Sequence, residues 1–281
     1  MNESAQSVIK KYKSLFSLSG KTALISGANS GIGKEIAKAF LLCGTNVIIC
    51  SRTAGKDRSL NKFLSEIKQD NITSLCTESD FVPQVISIPC DITDEDSVND
   101  LLEKITEKFS TIEILVNSAG INILEPACDY SINSFESVLD VNVKGMFLLS
   151  REVGRMFMIP QKYGRIVNIS SVKGMIGASE NYLAYCTSKG AVNMFTKQLA
   201  CEWGKYGITC NAIAPTYVRT NINKDQLDDP EFRKYLVDRI PLCRIGKLED
   251  ISAAALYFSS DLASFVTGQV LCVDGGLTSR Q

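Results

Sequence analysis

Two residues four positions apart, Tyr185 and Lys189, are the chemically most informative feature of this chain. Side chains at this spacing lie on the same face of a helix, so the ammonium lies beside the phenol. A tyrosine ordinarily titrates near pH ~10, and a neighbouring positive charge favours the phenolate and lowers its pKa. We therefore expect the Tyr185 phenol to exchange protons near neutral pH.

A glycine-rich turn lies far upstream of this pair. Gly27, Gly31 and Gly33 follow a short apolar run and open a segment whose apolar residues recur at helical spacing. Glycines permit a tight turn and close backbone approach, so a pyrophosphate can lie on the helix N-terminus. The GxxxGxG spacing departs from GxGxxG, and a tight turn without a ligand is the alternative. A dinucleotide site at this turn, together with Tyr185 and Lys189, predicts hydride transfer to or from a carbonyl.

The composition excludes several classes of protein. The 281 residues include no histidine, so histidine-dependent triads, zinc sites and general bases are excluded. The ten cysteines form no CxxC pair, and we expect reduced thiols and no metal site. A net charge of −1 gives no reason to expect nucleic acid as a partner. No apolar run approaches the ~18 residues of a membrane span, so we expect a cytoplasmic protein without a membrane partner.

Strand-like and helix-like segments alternate from Lys21 onward, which predicts an α/β doubly wound Rossmann fold. We expect a seven-stranded, mostly parallel sheet with helices on both faces. The expected strands are Thr22–Ser26, Asn46–Cys50, Gln84–Pro89, Ile112–Asn117, Gly164–Ser170, Gly207–Ala212 and Gln269–Val273. The expected helices are Gly31–Cys43, Asp94–Phe109, Ser134–Met158, Tyr182–Tyr206 and Glu249–Ser259.

The predicted organisation is an N-terminal extension, residues 1–17, followed by one catalytic domain, residues 18–281. Two segments interrupt its alternation. Residues 54–82 are polar and long for a connection, with one helix expected over Leu60–Gln69 and no assigned role. Residues 215–241 follow the sixth strand and are predicted to form a substrate-binding loop region.

Polar residues at three strand ends extend the predicted cofactor site. Asn117 and Gly120 delimit a turn after the fourth strand, where ligands bind in such sheets. Asp91 follows the third strand, where it accepts a hydrogen bond from an adenine or caps the next helix, a role that Thr93 or Asp94 could also fill. Arg52 follows the second strand in place of the acidic residue expected for NAD, which favours NADP(H). The alternative is a solvated arginine and NAD.

The motifs occur in the order and approximate spacing of the short-chain dehydrogenase/reductase family, which the chain resembles from about Leu18 onward. Two branches are similar, the gluconate 5-dehydrogenases and the 3-oxoacyl-carrier-protein reductases. The cofactor-binding residues that the resemblance and the strand ends predict are Gly27, Asn29, Ser30, Gly31, Ile32, Gly33, Arg52, Asp91, Ile92, Asn117, Ala119, Gly120, Tyr185, Lys189, Pro215, Val218 and Thr220.

The resemblance implies four catalytic residues. Tyr185 is the general acid/base, and Lys189 lowers its pKa and binds the nicotinamide ribose. Ser171 holds the substrate oxygen, and Asn142 positions a water that passes protons through Lys189. Each role has an alternative: Ser170 competes with Ser171, and Asn142 could simply be a polar residue in a helix.

Several neighbouring residues qualify the resemblance. Tyr182, on the same helix as Tyr185, lacks a lysine four residues later, so we expect it to serve in packing or in the pocket wall. Ser118 and Thr216 stand where the family mostly has asparagine and glycine, and Thr216 affects the local turn and the pocket volume.

The substrate is not fixed by the sequence beyond a small carbonyl or alcohol. Cationic groups for a sugar acid or apolar walls for a 3-oxoacyl chain are both present. The candidates are Arg219, Lys173 and Lys224 for the first, and Met175, Ile176, Tyr217 and Leu227 for the second. By resemblance we expect a homotetramer, with residues 134–158 and 182–206 between subunits. The alternative function is a dinucleotide-binding regulatory or scaffold protein without turnover.

Overall fold

The computed structural model describes residues 4–54, 62, 82–179, 181–220 and 224–280. The polar segment over residues 54–82, with its expected helix at Leu60–Gln69, lies almost wholly outside the described residues.

Within the described residues, the sheet has seven parallel strands in the order β3-β2-β1-β4-β5-β6-β7. The strands are β1 (Thr22–Ser26), β2 (Asn46–Ser51), β3 (Val85–Pro89), β4 (Ile114–Asn117), β5 (Gly164–Ile169), β6 (Ile208–Pro215) and β7 (Val270–Val273). Strand order reverses between β1 and β4, which places a crevice beyond their carboxyl ends. The predicted doubly wound Rossmann fold is confirmed, and the sheet is wholly rather than mostly parallel.

Helices cover both faces of this sheet. They are α1 (Ala5–Phe16), α2 (Gly31–Leu42), α3 (Glu95–Thr106), α4 (Ile132–Leu139), α5 (Met146–Val153), α6 (Leu183–Trp203), α7 (Lys224–Asp228), α8 (Pro230–Val237) and α9 (Leu248–Ser259). Two π turns, Asp140–Gly145 and Gly154–Met158, join α4 and α5 to a last helical turn, Ile159–Gln161. None of the helices in the described ranges combines the length and apolar character needed to cross a bilayer.

Two hydrophobic cores lie on opposite faces of the sheet, because successive strand residues point to opposite sides. Ile25 of β1 belongs to the core that contains Phe40 of α2 and Phe258 of α9. Leu24, its neighbour in β1, belongs to the core that contains Leu101 of α3 and Leu149 of α5. Strands β1, β4, β5 and β6 are buried on both faces, as in other parallel sheets, whereas the edge strands β3 and β7 are only partly buried.

Local signals explain where the observed elements differ from the predicted ones. Helix α1 was not predicted; Ser4 caps it by accepting from the Ser7 amide, and none of its residues is buried. The expected loop region at residues 215–241 contains α7 and α8. Asp229 caps α8 and Pro230 occupies its first turn, a sequence signal for a helix start.

Candidate active site

A cleft of about 930 Å³ lies beyond the carboxyl ends of the strands, over the point where the strand order reverses. The glycine turn after β1, the ends of β2 to β6 and the first turns of α6 line it. This is where open parallel sheets bind ligands. The most informative sequence motifs therefore meet in one cleft.

The turn after β1 leaves no room for side chains. Gly27 has a φ of +70°, and a Cβ there would lie 2.8 Å from the Cα of Ala119. At Gly33 a Cβ would lie 2.9 Å from the Gly27 carbonyl oxygen. The glycines therefore bring β1, β4 and the start of α2 into backbone contact, and the helix N-terminus reaches the cleft.

The first turn of α2 presents backbone amides without a side-chain cap. Ser30 occupies the N-cap position in an extended conformation, yet its hydroxyl makes no capping hydrogen bond. Serine is a preferred capping residue, and Asp94 and Ser131 do cap α3 and α4. Ser30 and the amides of the α2 turn line the cleft, so an anion can take the place of the cap.

Beside this turn, the end of β2 forms a polar corner of the cleft. The Asn29 amide donates to the Ser51 hydroxyl at 2.7 Å and to the Thr53 hydroxyl at 2.8 Å. Arg52 lies between these two residues with an exposed side chain that lines the cleft. The corner combines a cation with amide and hydroxyl groups.

The end of β3 supplies a carboxylate. Asp91 accepts from the amide and the hydroxyl of Thr93, at 3.0 and 2.8 Å, and these bonds lower the pKa of Asp91. Asp94, rather than Asp91 or Thr93, caps α3 by accepting from the Ser97 amide. Asp91 is therefore available to the cleft, which it and Ile92 line.

Asn117, which the sequence predicts as a cofactor-binding residue, does not line the cleft. Its side-chain amide donates to Ser150 at 3.1 Å and to Asn168 at 2.8 Å, and the residue is buried. The side chain thus joins β4 to α5 and β5. At this strand end Ala119 and Gly120 line the cleft, and Ser26 of β1 holds their turn by accepting from the Ala119 amide.

The structure distinguishes the two serines after β5. The Ser170 hydroxyl donates to the side chain of Asn193 at 2.6 Å and packs against α6. The Ser171 hydroxyl donates to the Pro215 carbonyl at 3.5 Å and accepts from the Lys173 amide at 3.2 Å. It also lies close enough to the Tyr185 phenol to lower the pKa of that group. This geometry favours Ser171 as the serine that works with Tyr185.

Tyr185 and Lys189 lie on the cleft face of α6, with the ammonium 5.5 Å from the centre of the tyrosine ring. The Lys189 ammonium donates to the Ile169 carbonyl at 2.7 Å, and burial lowers its pKa to about 8. Burial raises the pKa of Tyr185 to about 12, and the nearby Ser171 hydroxyl offsets this only in part. The expectation that Lys189 brings the phenol pKa near neutrality is therefore wrong for this arrangement, because the desolvation of Tyr185 dominates.

Asn142 lies in the π turn Asp140–Gly145 and is buried behind the cleft. Its Oδ1 accepts from the Ile121 amide at 2.8 Å, and its Nδ2 donates to the Ile121 carbonyl and to the Ser188 hydroxyl, each at 2.9 Å. It thereby ties the end of β4 to α6, next to Lys189. Both polar atoms of the Asn142 side chain are therefore already hydrogen-bonded to other groups of the protein.

The segment after β6 closes the cleft opposite β1. Pro215, Val218 and Thr220 line it, and the Thr220 methyl group would lie 3.5 Å from a Cβ at Gly31. Tyr217 accepts with its carbonyl from the Gly246 amide at 3.1 Å, which anchors the segment.

All the predicted site residues except Asn117 and Asn142 line the cleft. Several lining residues were not assigned to the site from the sequence. They are Cys50, Ser51, Thr53, Cys90, Thr93, Ser118, Ile121, Asn122, Leu124, Val141, Ile169, Val172 and Thr216. Most of them lie at or shortly after the carboxyl ends of strands, which was the available signal, whereas Val141 lies in the π turn Asp140–Gly145. Lys173 and Tyr217, which were only substrate alternatives, also line it, and Tyr182 lies in its wall.

The nine described cysteines are free thiols. Among the described residues, no group of three or more cysteine or carboxylate side chains is arranged to hold a metal ion.

Comparison with known proteins agrees with this geometry. A family model described as enoyl-(acyl carrier protein) reductase matches residues 27–278. Gluconate 5-dehydrogenase of Gluconobacter oxydans is 36% identical over 94% of this chain and 97% of its own length. The 3-oxoacyl-acyl-carrier-protein reductase of Buchnera aphidicola is 35% identical over 92% of this chain and 97% of its own.

Solved structures share the fold over nearly the whole chain. A gluconate 5-dehydrogenase from Burkholderia cenocepacia, in complex with NADP and tartrate, superimposes with a TM-score of 0.82 at 31% identity. The superposition covers 96% of this chain and 100% of that one. The matches extend over the glycine turn, the strand ends and the Tyr185 helix alike. The chain is an oxidoreductase and belongs to the short-chain dehydrogenase/reductase family.

Proposed function

We propose that the protein interconverts a carbonyl and a secondary alcohol by hydride transfer with NADP(H), with Tyr185 as general acid/base. One observation carries the proposal: Tyr185, Ser171 and Lys189 line the same cleft, and the Ser171 hydroxyl lies close enough to the Tyr185 phenol to lower its pKa. Two hydroxyls can bind one substrate oxygen, and the Lys189 ammonium lies 5.5 Å from the centre of the Tyr185 ring.

The residues around the glycine turn fit a dinucleotide. Backbone packing at Gly27 and Gly33 excludes side chains, and the uncapped first turn of α2 offers amides to a pyrophosphate. Asp91 would accept from the adenine amine. When bound, the nicotinamide supplies or accepts the hydride.

The polar corner at the end of β2 favours NADP(H) over NAD. Arg52 is exposed beside hydroxyl and amide groups, and none of the described residues 51–54 at this strand end is acidic. A guanidinium binds a phosphate through two parallel hydrogen bonds. Asn29, Ser30 and Thr53 would provide the remaining contacts.

The proton chemistry follows from the two pKa values. With a pKa of about 12, the Tyr185 phenol is protonated at neutral pH and is ready to donate to a carbonyl oxygen during reduction. Ser171 holds that oxygen through its hydroxyl. Lys189, with a pKa of about 8, exchanges protons readily near neutral pH and stabilises the phenolate once Tyr185 has given up its proton.

Substitution of Tyr185 by Phe tests the proposal. The variant keeps the aromatic ring but loses the proton donor, so NADPH oxidation against a panel of ketones should fall by about 100-fold or more. Tyr206→Phe is the matched control, because Tyr206 lies outside the cleft. Unchanged turnover in the Tyr185 variant would refute the assigned role.

We also propose the homotetramer that the resemblance implies. Helices α5 and α6 and the π turn beyond α5 expose large apolar side chains, among them Phe147 (42%), Met156 (37%), Leu183 (46%) and Met194 (63%). Such a surface supports association through these helices. Light scattering tests this, and a monomer at micromolar concentration would contradict it. The cytoplasmic location and the domain boundary at residue 18 stay predictions.

A further inference from the structure

A half-buried lysine enters the cleft beside the reacting hydroxyls. Lys173 lies in the turn Val172–Gly174, two residues after Ser171, and its amide donates to the Ser171 hydroxyl. Its ammonium lies 2.9 Å from the centre of the Tyr182 ring and 3.4 Å from the Tyr217 hydroxyl. The cation is thus held over one aromatic face and directed to a second hydroxyl.

No carboxylate among the described residues forms an ion pair with Lys173. Its partners, Tyr182 and Tyr217, are phenols, and burial lowers the pKa of the Lys173 ammonium below its ordinary value. A charge that is partly desolvated without a counterion favours binding of an anion, since the anion would recover the lost solvation energy.

The other two candidate cations are not placed for this role. Arg219 is exposed and its guanidinium forms a 2.5 Å ion pair with Asp228. Lys224 is exposed at the start of α7 and does not line the cleft. Of these three candidates, Lys173 is the one that lines the cleft.

The apolar wall that an acyl chain would need is not assembled from the residues expected to form it. Met175 and Ile176 are 54% and 44% exposed and lie outside the cleft lining. Leu227 is buried elsewhere, and only Tyr217 of the four residues lines the cleft. Its hydroxyl is hydrogen-bonded to the Lys173 ammonium, so it presents a polar rather than an apolar surface.

We propose that Lys173, Tyr182 and Tyr217 form a subsite for an anionic group of the substrate, a carboxylate or a phosphate on a small hydroxy or oxo compound. The inference rests on the proposed function and names the substrate class of that site. The Tyr182 and Tyr185 ring centres are 6.4 Å apart, so the proposed subsite adjoins the general acid. A compact polyol acid fits this separation, because its charged end and its reacting carbon are a few bonds apart.

Substrate binding and turnover in the Lys173→Met variant test the subsite. The full chain, saturated with NADPH so that the alcohol groups of the probes have no hydride acceptor, is titrated by calorimetry with gluconate, glucose 6-phosphate and the neutral sorbitol. Loss of a charge-assisted hydrogen bond should weaken binding of the anions about 10-fold or more, with sorbitol changed less than about 2-fold. Lys173→Arg should restore most of the affinity for the anions.

Lys205→Met is the matched control. Lys205 also packs over a tyrosine ring, at 5.1 Å from the centre of Tyr206, but lies outside the cleft. It should bind all three probes as the parent does. A Lys173→Met variant that bound NADPH normally and both anions unchanged would overturn the subsite.

The proposed function and the subsite fail differently. A parent that turns over sorbitol and a 3-oxoacyl thioester, with no binding of either anion, would overturn the subsite while leaving the Tyr185 chemistry intact. Lys173-dependent binding of an anion in a parent without turnover would support the subsite and contradict the proposed function. Stronger binding of glucose 6-phosphate than gluconate would assign the anion as phosphate, and the reverse as carboxylate.

Discussion

Replacement of Lys189 by methionine should stabilise the fold while abolishing turnover. Lys189 is 5% exposed, and burial lowers the pKa of its ammonium from 10.5 to about 8. The ammonium is fully hydrated in the unfolded chain, so keeping it charged and buried opposes folding. One pKa unit corresponds to about 1.4 kcal/mol, so the charged side chain destabilises the fold by about 3 kcal/mol at neutral pH.

The net effect of Lys189→Met is smaller than this electrostatic contribution. The variant also loses the hydrogen bond from the ammonium to the Ile169 carbonyl, 2.7 Å long. Such a bond contributes about 1 kcal/mol or somewhat more. Methionine has a similar length and packs well in irregular spaces. We therefore expect the variant to be more stable than the parent by about 1–2 kcal/mol at pH 7.

The advantage of the Lys189 variant should disappear at alkaline pH. Above pH 8 the folded parent releases the Lys189 proton, while the unfolded chain retains it up to about 10.5. The unfolded state then binds more protons, so the stability of the parent rises with pH relative to that of the variant. The difference should shrink between pH 8 and 10.5 and end in favour of the parent, which keeps its hydrogen bond.

Urea unfolding of parent and variant at several pH values from 7 to 10 measures this difference. Lys205→Met serves as the control, because Lys205 is exposed and should show no such trend. A variant less stable than the parent at pH 7 would refute the reasoning. So would a constant difference across the pH range, since it would mean that Lys189 releases its proton at the same pH in both states.

Three further substitutions test the cofactor corner, the packing of α6 and the wall behind the cleft. Arg52→Gln should raise the Kd of NADPH about 10-fold or more by fluorescence titration, with little change for NADH, which lacks the phosphate; equal weakening of both would contradict the NADP(H) assignment. Gly154→Ala should lower the free energy of unfolding by about 3 kcal/mol or more, because its Cβ would lie 2.2 Å from the Trp203 ring; Gly204→Ala, with nothing within 4 Å, is the neutral control. Asn142→Ala removes three hydrogen bonds and should lower both kcat and the unfolding free energy, the latter by about 2 kcal/mol; an unchanged Tm would contradict its role in the wall.

The fold was predictable because its signals are local. Short apolar runs that alternate with helical spacing, such as Thr22–Ser26 before Gly31–Leu42, can form a parallel sheet only with crossover helices. The glycine turn and the Tyr185–Lys189 pair were also predictable, because each motif lies within a single turn or a single helix and its residue spacing is visible in the sequence. Helix α1 was missed because its residues bury nothing, and its capping serine is a weak signal alone.

Properties that depend on several distant elements were not available from the sequence. The direction of the Tyr185 pKa reflects how far the folded chain desolvates the phenol, which no spacing encodes. The choice between Ser170 and Ser171 depends on which hydroxyl meets α6 and which meets Tyr185. Asn117 has a motif position that indicates a ligand contact, yet its side chain bonds to two other elements.

The amino-acid sequence alone determined the doubly wound architecture, the dinucleotide turn and the general acid with its lysine, because these depend on neighbours along the chain. The tertiary structure decided which cation meets the substrate. The sequence offers three candidate cations near predicted loops, and it does not rank them: Lys173, Arg219 and Lys224. Only the packing of the Val172–Gly174 turn against Tyr182 and the chain after β6 brings Lys173 into the cleft, because that contact joins segments that the sequence separates.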